Sequence, residues 1–184
     1  MAKKILLLAS GTGSLAQALF DSPLSDRADF VGLISDKDSQ ALERARAADV
    51  DAFHLPMQGD RAEWDKQIFS LAITLEPDLV VSVGFMRILS SDFVNRFKVM
   101  NTHPALLPDF PGAHAVRDAL KSGVTQTGTT VHWVDEGVDT GPIISQRIVP
   151  VEPFDTEESL HERIKIAERN LIVETLLAWI DGAL

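Results

Sequence analysis

Three continuous apolar runs of strand length, each followed by a segment with helical spacing, constrain this sequence more than any other feature. The runs are Ile5 to Ala9, Phe30 to Ile34 and Leu79 to Val83. They are too short for helices and do not alternate polar with apolar residues. Both faces of each strand must therefore be covered, the condition of a parallel sheet in an α/β fold. Between the runs, Ser14 to Phe20, Gln40 to Ala48 and Arg61 to Leu75 have helical spacing, and Asp60 with Glu63 forms a capping-box signature ahead of the third. Such alternation implies right-handed βαβ units in a single doubly wound, Rossmann-like, mostly parallel sheet with helices on both faces.

The second half has a different texture. Val99 to Asn101 reads as a short strand, followed by the proline-rich loop HPALLPDFPGAH and a helix around Val116 to Lys121. GTTVHWV and PIISQRIVPV read as two more strands joined by DEGVDTG. The last helix is expected to start near Asp155, with Asp155 and Glu158 as its capping box, and Leu160, Ile164, Ala167, Leu171 and Ala178 fall close to one stripe. A length of 184 residues suits one domain. Net charge is −10, from 27 acidic and 17 basic residues, which disfavours bulk binding of nucleic acid or of an anionic membrane. The absence of cysteine excludes thiol chemistry and fits a reducing compartment. MAKKILLLAS reads as a first buried strand and not as a signal peptide, and no apolar run reaches the ~18 residues of a membrane span. A cytoplasmic setting is expected.

Ligands of such sheets lie beyond the carboxyl ends of the strands. That selects Ser10 to Ser14, Gly84 to Leu89, Asn101 to His114 and Asp135 to Gly141. SGTGS opens a helix, so its N–H groups can cradle a phosphate; a plain tight turn is the competing reading. Ala16 occupies the third glycine position of a dinucleotide fingerprint and Asp36 the place of its ribose partner, which keeps a nucleotide cofactor open. Asn101 and His103, two residues apart at a strand end, point to one side, where an amide and an imidazolium can meet an oxygen that becomes negative. A histidine bonded within a proline-rich loop is the plainer alternative. A carboxylate at Asp139 would favour imidazolium at His103, raising it from its ordinary ~6.5, although Asp is also a common turn residue.

His132 reads as core or as support for the site, and His54 and His161 as surface or locally bonded. His103, His114, His132 and Asp139 form no tight metal-ligand pattern, so no metal is expected. Gly84 to Leu89 surrounds Arg87 with large apolar groups, which fits a flat heterocycle pocket or core packing. Lys165 and Glu168 share a helix face, as ligands or as a solvated ion pair.

Taken together, these residues are similar to a known family. NTHPALLPDFPG, which carries Asn101 and His103, followed by Asp139 in VDTGP, resembles the formyltransferases that use 10-formyltetrahydrofolate. The likeness runs from ASGTGS through GFMRILS and GTTVHWVDEGVDTGPII to LHERIKIAER. The N-terminal loop and the Lys165/Glu168 pair resemble the phosphoribosylglycinamide formyltransferase branch. The resemblance implies a formyltransferase fold of one domain over 1–184, with a phosphate-binding half of about 1–98 and a folate-binding, catalytic half of about 99–184. His103 would be general acid and oxyanion stabiliser, Asn101 a donor to the formyl oxygen that also touches folate, and Asp139 the group that keeps His103 protonated. Gly13, Ser14 and Leu15 would meet the substrate phosphate, with Lys165 and Glu168 near the phosphoribosyl part. Met86, Arg87, Ile88 and Leu89 would line the pteridine pocket, Arg61 would contact the folate, Val94 and Val99 would form an apolar wall, and the backbone from Asp135 to Val138 would complete it. Leu15 stands where many relatives carry Asn, which removes a side-chain contact.

The reaction so implied is direct formyl transfer from 10-formyltetrahydrofolate, as co-substrate, to the amine of glycinamide ribonucleotide in purine synthesis, with no metal. It implies two small-molecule substrates, no nucleic acid and no membrane, and it allows a homodimer. Both ligands are anionic, so on this acidic chain their selection would be local, through the helix N-terminus, Arg61, Arg87 and Lys165. Two alternatives remain: a formyltetrahydrofolate hydrolase, with water as acceptor, and a non-catalytic nucleotide-binding domain using SGTGS and Asp36. A tRNA formyltransferase would need an RNA-binding domain for which the chain lacks room.

Overall fold

Strand β1 (Lys3–Ala9) holds the first apolar run, Ile5 to Ala9, entirely out of solvent. Its neighbours explain why: β1 pairs in parallel with β2 (Ala28–Ser35) on one edge and with β4 (Leu79–Ser82) on the other. Each fully buried leucine of this strand contributes roughly 1.5–3 kcal/mol. The computed structural model describes residues 2–184. Their strands form one seven-stranded, mostly parallel sheet of an α/β fold, in the order β3-β2-β1-β4-β5-β6-β7.

The chain divides into two compact units, Met1–Met100 and Asn101–Leu184. The first contains α1 (Ser14–Phe20), α2 (Gln40–Ala47), the short strand β3 (Ala52–His54), α3 (Arg61–Leu75) and α4 (Ser91–Arg96), besides β1, β2 and β4. A 3-10 turn covers Pro23–Asp26. Strand β5 (Val99–His103) begins in the first unit and ends in the second. The second unit adds α5 (Ala115–Ser122), β6 (Gln126–Trp133), β7 (Ile143–Pro150) and α6 (Glu157–Ile180). Strands β6 and β7 run antiparallel. Leu160 and Ile164 of the α6 stripe pack with Val116 and Val149, and Ala167 borders that cluster.

Several local expectations change. Strand β3 and helix α4 have no counterpart in the sequence reading: β3 is three residues long and leaves His54 exposed, and α4 is a six-residue helix capped by the Ser90 hydroxyl on the Phe93 N–H. The cap of α6 lies one residue later than expected. Thr156 Oγ1 accepts the Ser159 N–H at 3.1 Å while Ser159 Oγ accepts the Thr156 N–H at 3.0 Å. Asp155 instead accepts the Glu152 N–H and pairs with Arg163, which holds its carboxyl far below the usual carboxylate range. At α3, Asp60 does cap, accepting the Ala62 N–H at 3.1 Å, whereas Glu63 lies 3.9 Å from Lys66 as an ion pair and no reciprocal box closes.

Candidate active site

The carboxyl end of β5 delivers Asn101 and His103 to one side of the strand and Thr102 to the other. His103 is buried. Its Nε2–H donates to the Phe110 carbonyl at 2.8 Å, and its Nδ1 lies 3.3 Å from Asp139 Oδ2. Both neighbours are acceptors, and the imidazole lies between them. The loops that supply them are bent: Phe110 and Asp139 have φ of 53° and 55°, in the left-handed region. Each such residue costs on the order of 1 kcal/mol or more, a strain found where a site over-determines the backbone.

Asp139 is shared. Its Oδ2 accepts the Gly112 N–H at 2.8 Å and its Oδ1 lies 3.5 Å from His132 Nε2. Burial alone would push this carboxyl up. The hydrogen bond with His132, the Gly112 N–H and the charges of His103 and His132 outweigh burial and hold it below the usual carboxylate range. His132, buried in β6, donates from Nδ1 to the Trp133 carbonyl at 2.9 Å, and its Nε2 is 3.2 Å from Asn101 Nδ2. The neutral ring therefore accepts from Asn101; a protonated ring donates to Asp139. In the neutral state His132 holds one of the two Asn101 N–H groups. Asn101, His103 and Asp139 thus lie together, with His132 between Asn101 and Asp139.

A second network sets the loop after His103. Thr130 Oγ1 donates to the Ala105 carbonyl at 2.7 Å and accepts the Leu107 N–H at 3.0 Å, while Gln146 Nε2 donates to Thr130 Oγ1 and to the Leu107 carbonyl. Alternation along β6 puts Thr130 and His132 on the same face. In the loop after β6, Asp135 accepts the Gly137 N–H and the Thr140 hydroxyl, and Val138 stays half-exposed.

On α6, Glu168 and Lys165 do not form the solvated pair that their spacing allows. Lys165 donates to Glu162 at 2.7 Å. Glu168 is buried, and burial pushes its carboxyl up, with the Thr102 hydroxyl and the Arg169 and Lys165 charges pulling the other way.

In the first unit, Gly13 caps α1 in the left-handed region, φ 73°, and a Cβ there would stand 2.6 Å from Ala41 Cα. Only glycine fits. Arg44 Nε donates to the Thr12 carbonyl at 2.9 Å, Ser14 is half-buried, and Leu15 turns its side chain into the core. The 84–89 segment follows β4. Met86 and Ile88 are 68% and 60% exposed, whereas Arg87 Nε donates to Asp36 Oδ2 at 2.6 Å. Arg61 pairs with Asp65 at 2.8 Å and also donates to the Ile88 carbonyl. Leu89 and Val94 are half-buried and Val99 is buried within β5. Asp36 has its side chain out of solvent and its Oδ2 engaged by Arg87, which removes the feature that kept a nucleotide cofactor open. Among the described residues no group of three His, Asp or Glu is arranged to hold a metal ion, and no helix is long and apolar enough to cross a membrane.

Comparison with known proteins gives one answer. A family model described as formyl transferase matches residues 3–176. The chain is 50% identical over 180 residues to the phosphoribosylglycinamide formyltransferase of Mycobacterium tuberculosis, covering 95% of this chain and 84% of that protein. It is 41% identical over 186 residues to the human trifunctional purine biosynthetic protein adenosine-3, covering 97% of this chain and 18% of that protein. Among solved structures, glycinamide ribonucleotide transformylase 1 from Symbiobacterium toebii superimposes with a TM-score of 0.94 at 38% identity, covering 98% of this chain and 89% of that one.

Proposed function

Because the chain belongs to the formyl transferase family, we infer that it is a phosphoribosylglycinamide formyltransferase of purine biosynthesis. It moves the formyl group of 10-formyltetrahydrofolate to the amine of 5-phosphoribosylglycinamide, giving formylglycinamide ribonucleotide and tetrahydrofolate. The donor supplies an activated formyl carbon. The rest falls to side chains, without a metal.

The observation that carries the proposed roles is the Asp139 carboxylate lying 3.3 Å from His103 and 3.5 Å from His132, with Asn101 against His132. When the amine adds to the formyl carbon, negative charge grows on the formyl oxygen. The second Asn101 N–H and the Nε2–H of His103 are the donors for it; His103 exchanges its Phe110 carbonyl for that oxygen. One such donor is worth about 3 kcal/mol of barrier. Asp139, 3.3 Å from His103 Nδ1, faces the imidazole with a carboxylate and, through solvent, takes part in moving the amine proton to the leaving nitrogen.

We assign the phosphoribosyl substrate to Gly13, Ser14 and Leu15, which would bind phosphate through backbone donors, and to Lys165 and Glu168, with Glu168 suited to ribose hydroxyls. Leu15 adds no side-chain contact, since it is buried. We assign the folate to Arg61, Met86 to Leu89, Val94, Val99, Asn101 and the backbone of 135–138. The exposed apolar side chains of Met86 and Ile88 fit that role, because a flat heterocycle would cover them. In this reading the enzyme works in the cytoplasm on two small anions.

The test supplies 10-formyltetrahydrofolate with glycinamide ribonucleotide, with water alone or with initiator tRNA, and follows loss of the formyl group. Turnover is expected only with glycinamide ribonucleotide. Equal loss in water alone would make the protein a hydrolase and overturn the assignment.

A further inference from the structure

Asp36 directly follows β2 and has its side chain wholly out of solvent. An ionised carboxylate is retained in such a place only when a cation answers it. Its one hydrogen-bond partner among the described residues is Arg87, 2.6 Å from Oδ2, and its Oδ1, also buried, makes no hydrogen bond. Asp36 does not serve the neighbouring helix, since the turn ahead of α2 is held by Ser35, whose Oγ donates to the Lys37 carbonyl and lies 3.1 Å from Ser39 Oγ. The chemistry of this carboxylate is directed at one residue 51 positions away.

That residue lies in a segment with little else to hold it. Residues 84–89 have no regular secondary structure, so no helix or ladder sets their backbone. The contacts that do so come from three strand or helix ends. Ser10, buried at the end of β1, accepts the Met86 N–H at 2.9 Å and donates its own N–H to the Gly84 carbonyl at 3.1 Å. Asp36 draws Arg87 inward. Arg61, from the first turn of α3, donates to the Ile88 carbonyl. Pulling Arg87 inward sends its two sequence neighbours, Met86 and Ile88, outward, which is where both are found exposed.

We propose that Asp36 and Ser10 are positioning residues for the formyl donor: they fix the backbone of 84–89, through Arg87 and the Met86 N–H, in the shape that presents Met86 and Ile88 to the folate. This rests on the assignment of 84–89 to the folate pocket. Neither residue touches the reacting atoms, so the effect falls on donor affinity and not on the chemical step.

Asp36→Asn keeps the size of the side chain and removes its charge. In formyl-transfer kinetics the KM for 10-formyltetrahydrofolate is expected to rise about tenfold, with kcat at saturating donor and the KM for glycinamide ribonucleotide within about twofold of wild type. Ser10→Ala is expected to move the same constant in the same direction. In a double-mutant cycle, adding Asp36→Asn to Arg87→Gln should cost little more than Arg87→Gln alone, because Asp36 acts through Arg87. Hydrogen exchange needs no donor: in Asp36→Asn, faster exchange is expected at the 84–89 amides while the β1 and β4 amides keep their protection. Unchanged exchange at 84–89, whatever the donor KM, overturns the proposal. So does a parallel loss of all kinetic constants and of protection everywhere, the mark of a merely structural residue. Altered exchange at 84–89 with no effect on folate binding in an active enzyme would instead refute the assignment of this segment to the folate.

Discussion

Replacing Glu168 by Gln should make the protein more stable while weakening its hold on the ribonucleotide. Glu168 is 7% exposed, and Lys165, three residues earlier on the same helix, is committed to Glu162 at 2.7 Å. Burial therefore raises its carboxyl above the ordinary 4.5, with only partial relief from the Thr102 hydroxyl and the Arg169 and Lys165 charges. At neutral pH the folded state must either bury a poorly compensated anion or take up a proton; the unfolded chain does neither. The sign follows from linkage. A raised folded value means that the stability Glu168 contributes is intact below 4.5 and is lost as pH climbs through the folded value. Gln has the same shape and no titration. A buried polar group with incomplete partners costs roughly 1–3 kcal/mol, and Gln, which still needs hydrogen bonds, should recover about 1 kcal/mol of that. For a chain of this size that is a rise in Tm of about 2–4 °C. The assay is urea unfolding of wild type and variant at about pH 5 and about pH 8, with the KM for glycinamide ribonucleotide measured alongside. The variant's advantage should be larger at the higher pH, and the KM should rise about tenfold as charged hydrogen bonds to the ribose become neutral ones. An advantage that grows toward acid, or a variant less stable than wild type at pH 8, would refute the argument.

Three further outcomes are expected. His103→Ala should lower formyl transfer by about 10³-fold or more while tetrahydrofolate binding, followed by fluorescence, stays within about threefold; turnover like wild type would defeat the assignment. Asp139→Asn should lower kcat by about 10²–10⁴-fold and change the shape of the pH–rate profile, because a carboxylate held below its ordinary 3.8 is charged throughout the working range and its loss takes a negative charge away from both imidazoles it faces. A profile of unchanged shape would count against the role. Gly13→Ala, with φ of 73° and a Cβ 2.6 Å from Ala41 Cα, should lose about 2–4 kcal/mol in calorimetry, whereas Gly11→Ala, whose Cβ meets nothing within 4 Å, should be nearly neutral.

How far the sequence could be read depended on how many interactions decide each feature. The β1, β2 and β4 runs were legible because burial on both faces leaves no polar position, a property of consecutive residues. β3 and α4 were not, being three and six residues long and too short to establish a period. At α6, both Asp155/Glu158 and Thr156/Ser159 lie three apart ahead of an apolar stripe. What selects Thr156 is the engagement of Asp155 by Arg163, eight residues on. Asn101, His103 and Asp139 could be proposed together because each sits at a strand end or in the loop beyond one. His132 was harder, since a histidine in a buried strand looks alike whether it packs or orients an amide. Only the 3.2 Å approach to Asn101, 31 positions away, distinguishes the two. Asp36 and Arg87 each had a separate local explanation, and pairing them required the fold.

The acidic balance of the chain gains a consequence from the same contacts. An acidic protein that binds two anions was expected to rely on local cations, and three of those are already held by carboxylates: Arg61 by Asp65 at 2.8 Å, Arg87 by Asp36 at 2.6 Å and Lys165 by Glu162 at 2.7 Å. Anion capture at these positions is then an exchange of one partner for another, and the affinity reflects the difference between two ion pairs. The three differ in what exchange requires. Asp36 is buried and cannot turn away, so Arg87 stays with it, whereas Glu162 is exposed and can release Lys165 to solvent at little cost. Glu162→Gln should therefore free Lys165 and lower the KM for glycinamide ribonucleotide by about twofold at low salt, with the difference fading as added salt screens both pairs. Kinetics across a salt series measure this directly. A KM that rises in the variant would mean that Glu162 holds Lys165 in place for the substrate instead of competing for it, and the exchange argument would fail at that position.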